Sequence, residues 1–254
     1  MAYKVYISPS TQEHNQYVNG NTEEYWMNKI ADVVCNLLVK SGITVYRNKP
    51  EMELKQVVAD SNAKKPDIHF AIHSNAGGGR GCEVYALLVY DDNGKIKPTE
   101  GYKLAQAVYN RVSALTPTSD RGVKQGNHLY EIKNTIAPAA LIEVAFHDNP
   151  QDAAWITSNI EPIGKAIAQG ICDYFGVKLN TKDDEGEDDM LDKIVVYYGD
   201  IDALPAIIVG QKLKAPVMKE SDFKSSGLKA KNIIRVGGGE GDRFDTFKRA
   251  AQLL

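Results

Sequence analysis

The chain has 254 residues, 43% hydrophobic and 25% charged, which is the mix of a globular protein long enough for one large domain or two smaller ones. Its formal net charge of −3 gives no general pull toward nucleic acid, and no apolar run reaches the roughly 18 residues that a membrane helix needs. The opening segment MAYKVYISPST lacks a long apolar stretch and does not read as a secretory signal, so the protein is expected to stay in the cytoplasm until something else releases it. Cys35, Cys82 and Cys172 are widely spaced and odd in number, which favours buried small hydrophobes over a disulfide frame or a thiolate zinc site.

In chain order, KVYIS (4–8) reads as a strand. Thr22 can cap a helix in which Trp26, Met27, Ile30, Val33, Val34, Leu37 and Leu38 follow a 3.6-residue period, ended by Gly42. ITVYR (43–47) is a strand, 51–63 a helix, DIHFAIH (67–73) a strand and EVYALLVY (83–90) another, running into the turn DDNG. An amphipathic helix is expected over 99–114, a buried strand over AALIEVAF (139–146), and helices over 150–158 and 161–175, ending at Gly176. This alternation predicts an α/β fold with a mostly parallel twisted sheet covered by helices.

The clearest break is TKDDEGEDDM (181–190), with six acidic residues between Asp183 and Asp189, which reads as a linker. It divides the charge: residues 191–254 hold 11 Lys+Arg against 8 Asp+Glu, while 1–182 are balanced. A mildly basic tail suits an anionic polymer. Within the tail, 193–199 and 232–239 are expected strands, 202–213 and 242–254 expected helices, with a short element near Pro216. Some 64 residues lie near the lower limit for an independent core, so the tail is expected to self-associate or to pack on the first domain. The expected organisation is a domain over 1–177, a linker over 178–190 and a small α/β module over 191–254.

Four side chains stand out for chemistry. His73 ends strand 67–73, Glu24 lies in the first turn of the first helix, and His14 sits in the loop before it. Two imidazoles and a carboxylate are a common ligand set for a catalytic zinc with a place left for water, and strand ends of a parallel sheet gather at one edge. Glu143 lies inside the apolar run LIEVAF, where a nearby cation would explain a buried carboxylate. Each also has a plainer reading: a strand-end His, a solvated loop His, a helix-start acid favoured by the dipole, and a core carboxylate paired with Arg or Lys. The H-E-x-x-H motif is absent, and spacing alone leaves these readings open.

FAIHSNA (70–76) resembles the S-I-H-A-N-A strand end of the zinc N-acetylmuramoyl-L-alanine amidases of the Amidase_3 type. EYWMNKIADVVCNLLVKSGITVYR (24–47) resembles the family segment in which a ligand Glu precedes an Asn by four residues, here Glu24 and Asn28. GCEVY (81–85) is similar to its G-x-E-x-Y strand, and residues 121–152 to its R-G-V-K … P-A-x-L-V-E-x-G-F run. The resemblance spans about residues 1–177. It implies zinc ligands His14, Glu24 and His73, with Glu143 as acid/base, and hydrolysis of the amide between N-acetylmuramic acid and L-alanine in peptidoglycan. The family's first motif, D-x-G-H-G-G, stands here as ISPSTQEHNQY. Glu23 competes with Glu24, which alone keeps the four-residue step to Asn28. His147 is expected at the rim.

The tail resembles cell-wall-binding type 2 modules through its helix IDALPAIIVGQKL and the turn IIRVGGG. The glycines of VGGGEGD (236–242) miss the register of a nucleotide-binding turn. An amidase, an acidic linker and a wall-binding tail together resemble a phage endolysin of a Gram-positive, clostridium-like host. Its expected partners are peptidoglycan and a wall polymer, with no nucleic acid. A bacterial autolysin or sporulation amidase is the nearest alternative, and a non-catalytic wall-binding protein with a decayed amidase fold is another.

Overall fold

The computed structural model describes residues 2–118, 121–181, 190–238 and 243–252. The chain forms two compact units, residues 1–181 and 182–254. The acidic run 183–189 and the last part of VGGGEGD lie outside the described residues.

The first unit runs β1 (Lys4–Pro9), α1 (Glu23–Lys40), β2 (Thr44–Arg47), α2 (Leu54–Lys64), β3 (Ile68–Asn75), β4 (Glu83–Ala86), β5 (Val89–Tyr90), β6 (Ile96–Lys97), α3 (Glu100–Ser113), β7 (Val123–Gln125), α4 (Tyr130–Asn134), β8 (Ala139–Phe146), α5 (Pro150–Ser158) and α6 (Ile160–Phe175). Six strands form one sheet in the order β2-β1-β3-β8-β4-β7. Every neighbouring pair is parallel except β4 with β8, so the fold is the mostly parallel, helix-covered α/β arrangement expected.

Local chemistry sets the helix starts. Thr22 Oγ1 accepts the Tyr25 amide, Thr99 Oγ1 that of Tyr102, and Asn149 those of Gln151 and Asp152. Gly176 closes α6 in the left-handed region, at φ 67°.

The strands separate two surfaces by their period of two. Val5 and Ile7 of β1, Ile68, Phe70 and Ile72 of β3, and Ala140, Ile142 and Val144 of β8 pack into one large core with Met27, Ile30 and Val34 of α1, Leu104 and Val108 of α3, and Ile163 and Ile167 of α6. Ala71, Ala139 and Leu141, of opposite parity, form a smaller cluster with Ile132 of α4.

Three features differ from the sequence expectation. The run 83–90 is not one strand: β4 stops at Ala86, and the Gln125 side chain takes up the Leu88 N–H and C=O, 3.0 and 2.9 Å away, turning β5 into a separate hairpin with β6. The short β7 and α4 carry too few residues for a periodic signal. The third lies in the tail, which also carries an unexpected short helix over Glu220–Ser226.

The second unit runs β9 (Met190–Tyr197), α7 (Ala203–Leu213), β10 (Val217–Lys219), α8 (Glu220–Ser226), β11 (Lys229–Val236) and α9 (Arg243–Ala251). Its sheet is parallel throughout, in the order β10-β9-β11. Val195, Ala206, Val209, Val236 and Ala250 form its own small core. β11 ends three residues earlier than 232–239 suggested, because Gly237 and Gly238 take φ +87° and +74° and leave the strand. No helix among the described residues is long and apolar enough to cross a membrane.

Gly170 lets α6 lie against α3: a Cβ there would stand 2.5 Å from Val108 Cα and 3.0 Å from the Ala107 carbonyl oxygen. Ala gains about 1 kcal/mol of helix propensity over Gly, whereas overpacking against backbone costs about 1–3 kcal/mol. Gly170→Ala is therefore expected to lower the denaturant midpoint; an unchanged or raised midpoint would mean that the two helices are not in close contact.

Candidate active site

The face opposite the large core carries the ionisable side chains. His73 on β3 pairs in register with Glu143 on β8, and Glu143 with Glu83 on β4. His69 lies on the same face as His73, four residues back along β3. A cavity of about 390 Å³ opens there, lined by Gln12, Leu54, His73, Tyr130, Glu131 and Glu143 among others.

His73 lies between two carboxylates. Its Nδ1 is 2.9 Å from Glu23 Oε1, and its Nε2 is 3.6 Å from Glu131 Oε2. Burial alone would favour the neutral ring, but Glu131 and Glu23 reverse this and raise its pKa well above the usual imidazole value. Glu23 is the first residue of α1, where the helix dipole favours a carboxylate. It accepts the Ser74 amide at 3.3 Å and Asn15 Nδ2 at 2.7 Å. Burial pushes its carboxyl up, and the bonds from His73 and Asn15 outweigh this and hold it below the usual range. Glu131, on α4, behaves alike: burial opposes its charge, while His69 and His73 hold its pKa well down.

Glu143 is the exception. Its Oε2 is buried with no hydrogen-bond partner, and burial pushes its carboxyl up to about 8, with Glu23 and Glu83 adding to the rise against the pull of His73. Its neighbour Glu83 is instead held by Arg121 Nε and Tyr85 Oη, 2.6 and 2.7 Å away, and by Lys124. These bonds outweigh its burial and keep its pKa low. Adjacent carboxylates with pKa values driven apart are the usual mark of an acid/base pair of environments.

Of the four side chains singled out in the sequence, His73 and Glu143 come together here. His14 and Glu24 do not. The His14 side chain is 92% exposed, with Nε2 3.5 Å from Glu13. It lines a neighbouring cleft of about 440 Å³ together with Glu24. Glu24 is only partly buried, and the side chain that reaches His73 belongs to Glu23. The helix period explains the exchange: Glu23, Met27, Ile30, Ala31, Val34 and Leu38 form the buried face of α1, and Glu24 is turned about 100° away. Asn28, the anchor of the four-residue step, is used structurally, accepting Arg47 Nη2 at 2.7 Å and donating to the Glu24 carbonyl. His147 is buried, stacked on Tyr17 and bonded through Nδ1 to Ser74, one residue away from the His73 group. Glu131 was missed altogether. Its partner His69 was readable, since His69 and His73 share the polar parity of DIHFAIH.

The donors fit a divalent cation at two positions. Glu23 and His73 offer a carboxylate oxygen and an imidazole nitrogen, and the unpartnered Glu143 oxygen is what a nearby cation would explain. The Gln12 carboxamide lies beside them, with Nε2 3.4 Å from His73 Nδ1. An amide oxygen is a competent donor after a half-turn of that group. Among the described residues, no three His, Cys, Asp or Glu side chains form a metal cluster by themselves.

A mostly parallel sheet that presents a buried, proton-hungry carboxyl beside an imidazole–carboxylate pair has the parts of a hydrolase that activates water. The profile of the Amidase_3 family, N-acetylmuramoyl-L-alanine amidase, matches residues 9–173, and the chain belongs to this family. It is similar to the N-acetylmuramoyl-L-alanine amidase CwlM of Bacillus licheniformis, 27% identical over 186 residues that make up 70% of each chain. It is also similar to the endolysin of Bacillus phage SPP1, 30% identical over 129 residues, which span 50% of this chain and 46% of that one. Among solved structures, the N-acetylmuramoyl-L-alanine amidase of Clostridium difficile 630 aligns with a TM-score of 0.59 and 26% identity, over 68% of this chain and 97% of that one.

The raised pKa of Glu143 has a consequence for stability. The folded state of the metal-free protein holds a proton that the unfolded chain releases near 4.5. Stability from this group is complete below that value and lost as pH rises toward about 8. Glu143→Gln, which stays neutral, is therefore expected to melt higher than the chelated parent by a margin that widens from pH 5 to about pH 8 and then stops growing. A margin independent of pH would show an ordinary carboxyl.

Proposed function

We propose that this chain hydrolyses the amide that joins the lactyl group of N-acetylmuramic acid to L-alanine in peptidoglycan. The observation that carries this reading is the buried, unpartnered Glu143 carboxyl beside the Glu23–His73 pair, at the strand ends of a chain of the amidase family. Glu23, His73 and the Gln12 carboxamide oxygen would hold a zinc ion, which supplies polarisation of the amide carbonyl and a lowered pKa for water. Glu143 takes the proton of the attacking water and delivers it to the departing alanine nitrogen, a transfer suited to a carboxyl poised near neutrality. Glu83, locked in ion pairs with Arg121 and Lys124, keeps a carboxylate beside Glu143 that raises its pKa and strengthens it as the base that takes the proton of water.

The phage endolysin likeness supports a role in wall lysis: accumulation in the host cytoplasm, then action on the wall once the membrane is opened. A bacterial autolysin is the second reading, supported by the likeness to an N-acetylmuramoyl-L-alanine amidase of bacterial origin. The second unit, with a core of its own, is the proposed wall-binding module, and Ile201, Leu204, Ile207 and Ile208 on and beside α7 give it an exposed apolar surface. Self-association, expected from its small size, finds no support in the structure.

Digestion of purified Gram-positive walls, with the new chemical ends read directly, tests the reaction. New L-alanine amino groups without new reducing sugars, abolished by chelation, are expected. Glu143→Gln should lower kcat by about 10²–10⁴-fold. New reducing sugars would mean a glycosidase and overturn the assignment.

A further inference from the structure

Glu131 belongs to no motif singled out in the sequence, yet it is among the most completely bonded carboxylates of the first unit. Its Oε1 accepts Ser8 Oγ at 2.5 Å and faces His69 Nε2 at 3.0 Å. His69 in turn meets Ser61 Oγ through Nδ1 at 2.9 Å. Ser61, His69 and Glu131 are all buried, at 0, 0 and 4% exposure. β1, α2, β3 and α4 each supply one member, so the position of the carboxylate is fixed by four elements. The remaining oxygen, Oε2, faces His73 Nε2 at 3.6 Å, on the side of the ring opposite Glu23.

A ring can offer only one nitrogen to a cation while the other carries the proton. Nδ1 faces the Glu23 carboxylate and the Gln12 amide, the other candidate donors. Nε2 faces a carboxylate already occupied by Ser8 and His69. We infer that Glu131 is a positioning residue for the metal site: it keeps the proton on His73 Nε2, turns Nδ1 toward Glu23, and strengthens the ring as a donor. The Ser8–Glu131–His69–Ser61 chain exists to hold that carboxylate in place. Carboxylate–histidine–metal arrangements act in this way, and loss of the carboxylate commonly weakens metal binding by about 10–100-fold. The inference rests on the proposed zinc site.

Zinc affinity of the full chain, measured by competition with a chromogenic chelator, tests it with two readouts. For Glu131→Gln with a parent-like circular dichroism spectrum, binding at least about 10-fold weaker than the parent is expected. Parent-like affinity would overturn the inference while leaving the zinc reading intact. A parent that binds no zinc would overturn the zinc reading itself. The second readout needs no variant: nitrogen-15 shifts of His73 in the zinc-loaded parent should show metal on Nδ1 and the proton on Nε2. Metal on Nε2 would make Glu131 a candidate ligand instead and overturn its positioning role.

Discussion

The two-residue period of three adjacent parallel strands is the constraint on which the site depends. In β1, β3 and β8, one parity is filled by Val, Ile, Phe and Ala that pack under α1, α3 and α6. The other parity is thereby released from making that core, and it carries Tyr6, Ser8, His69, His73 and Glu143. Because neighbouring strands are hydrogen-bonded in register, His73, Glu143 and Glu83 fall in one row across the sheet without any special loop to bring them together. A one-residue slip of β8 against β3 would move Glu143 into the apolar core, so the packing that stabilises the fold also fixes the chemistry.

That row would be costly if all its charges were left alone, since a buried unpaired carboxylate is strongly disfavoured. The structure treats each carboxylate differently. Glu23 and Glu131 are satisfied by His73 and by a set of fixed donors, and Glu83 by two cations and Tyr85. Glu143 receives none of these, and its proton is retained up to about pH 8. The residue with the poorest surroundings is thus the one whose proton can move in the working range of an enzyme, which is the logic by which acid/base groups are recognised.

Much of this was legible in the sequence. AALIEVAF and PQDAAWITS matched β8 and α5 to the residue, because buried β-branched runs and Asn-Pro starts are strong signals. His73 and Glu143 were readable as a strand-end imidazole and as a carboxylate misplaced in an apolar run. The α1 carboxylate beside His73 is Glu23 and not the Glu24 that the four-residue step to Asn28 favours, because burial follows the helix period. The resemblance implies His14 as a ligand, but the loop brings the carboxamides Gln12 and Asn15 to His73 and Glu23 and leaves His14 in solvent. Glu131 could not be found from periodicity, since α4 is one short turn whose place is set by tertiary contact.

The orientation of α1 would bring Glu23, not Glu24, to a zinc ion held beside His73. Zinc content and affinity of Glu23→Gln and Glu24→Gln, measured side by side, test it most directly. Glu23→Gln is expected to lose bound zinc while Glu24→Gln keeps it at parent stoichiometry. Retention of zinc by Glu23→Gln together with its loss from Glu24→Gln would instead make Glu24 the ligand, as the motif spacing suggests.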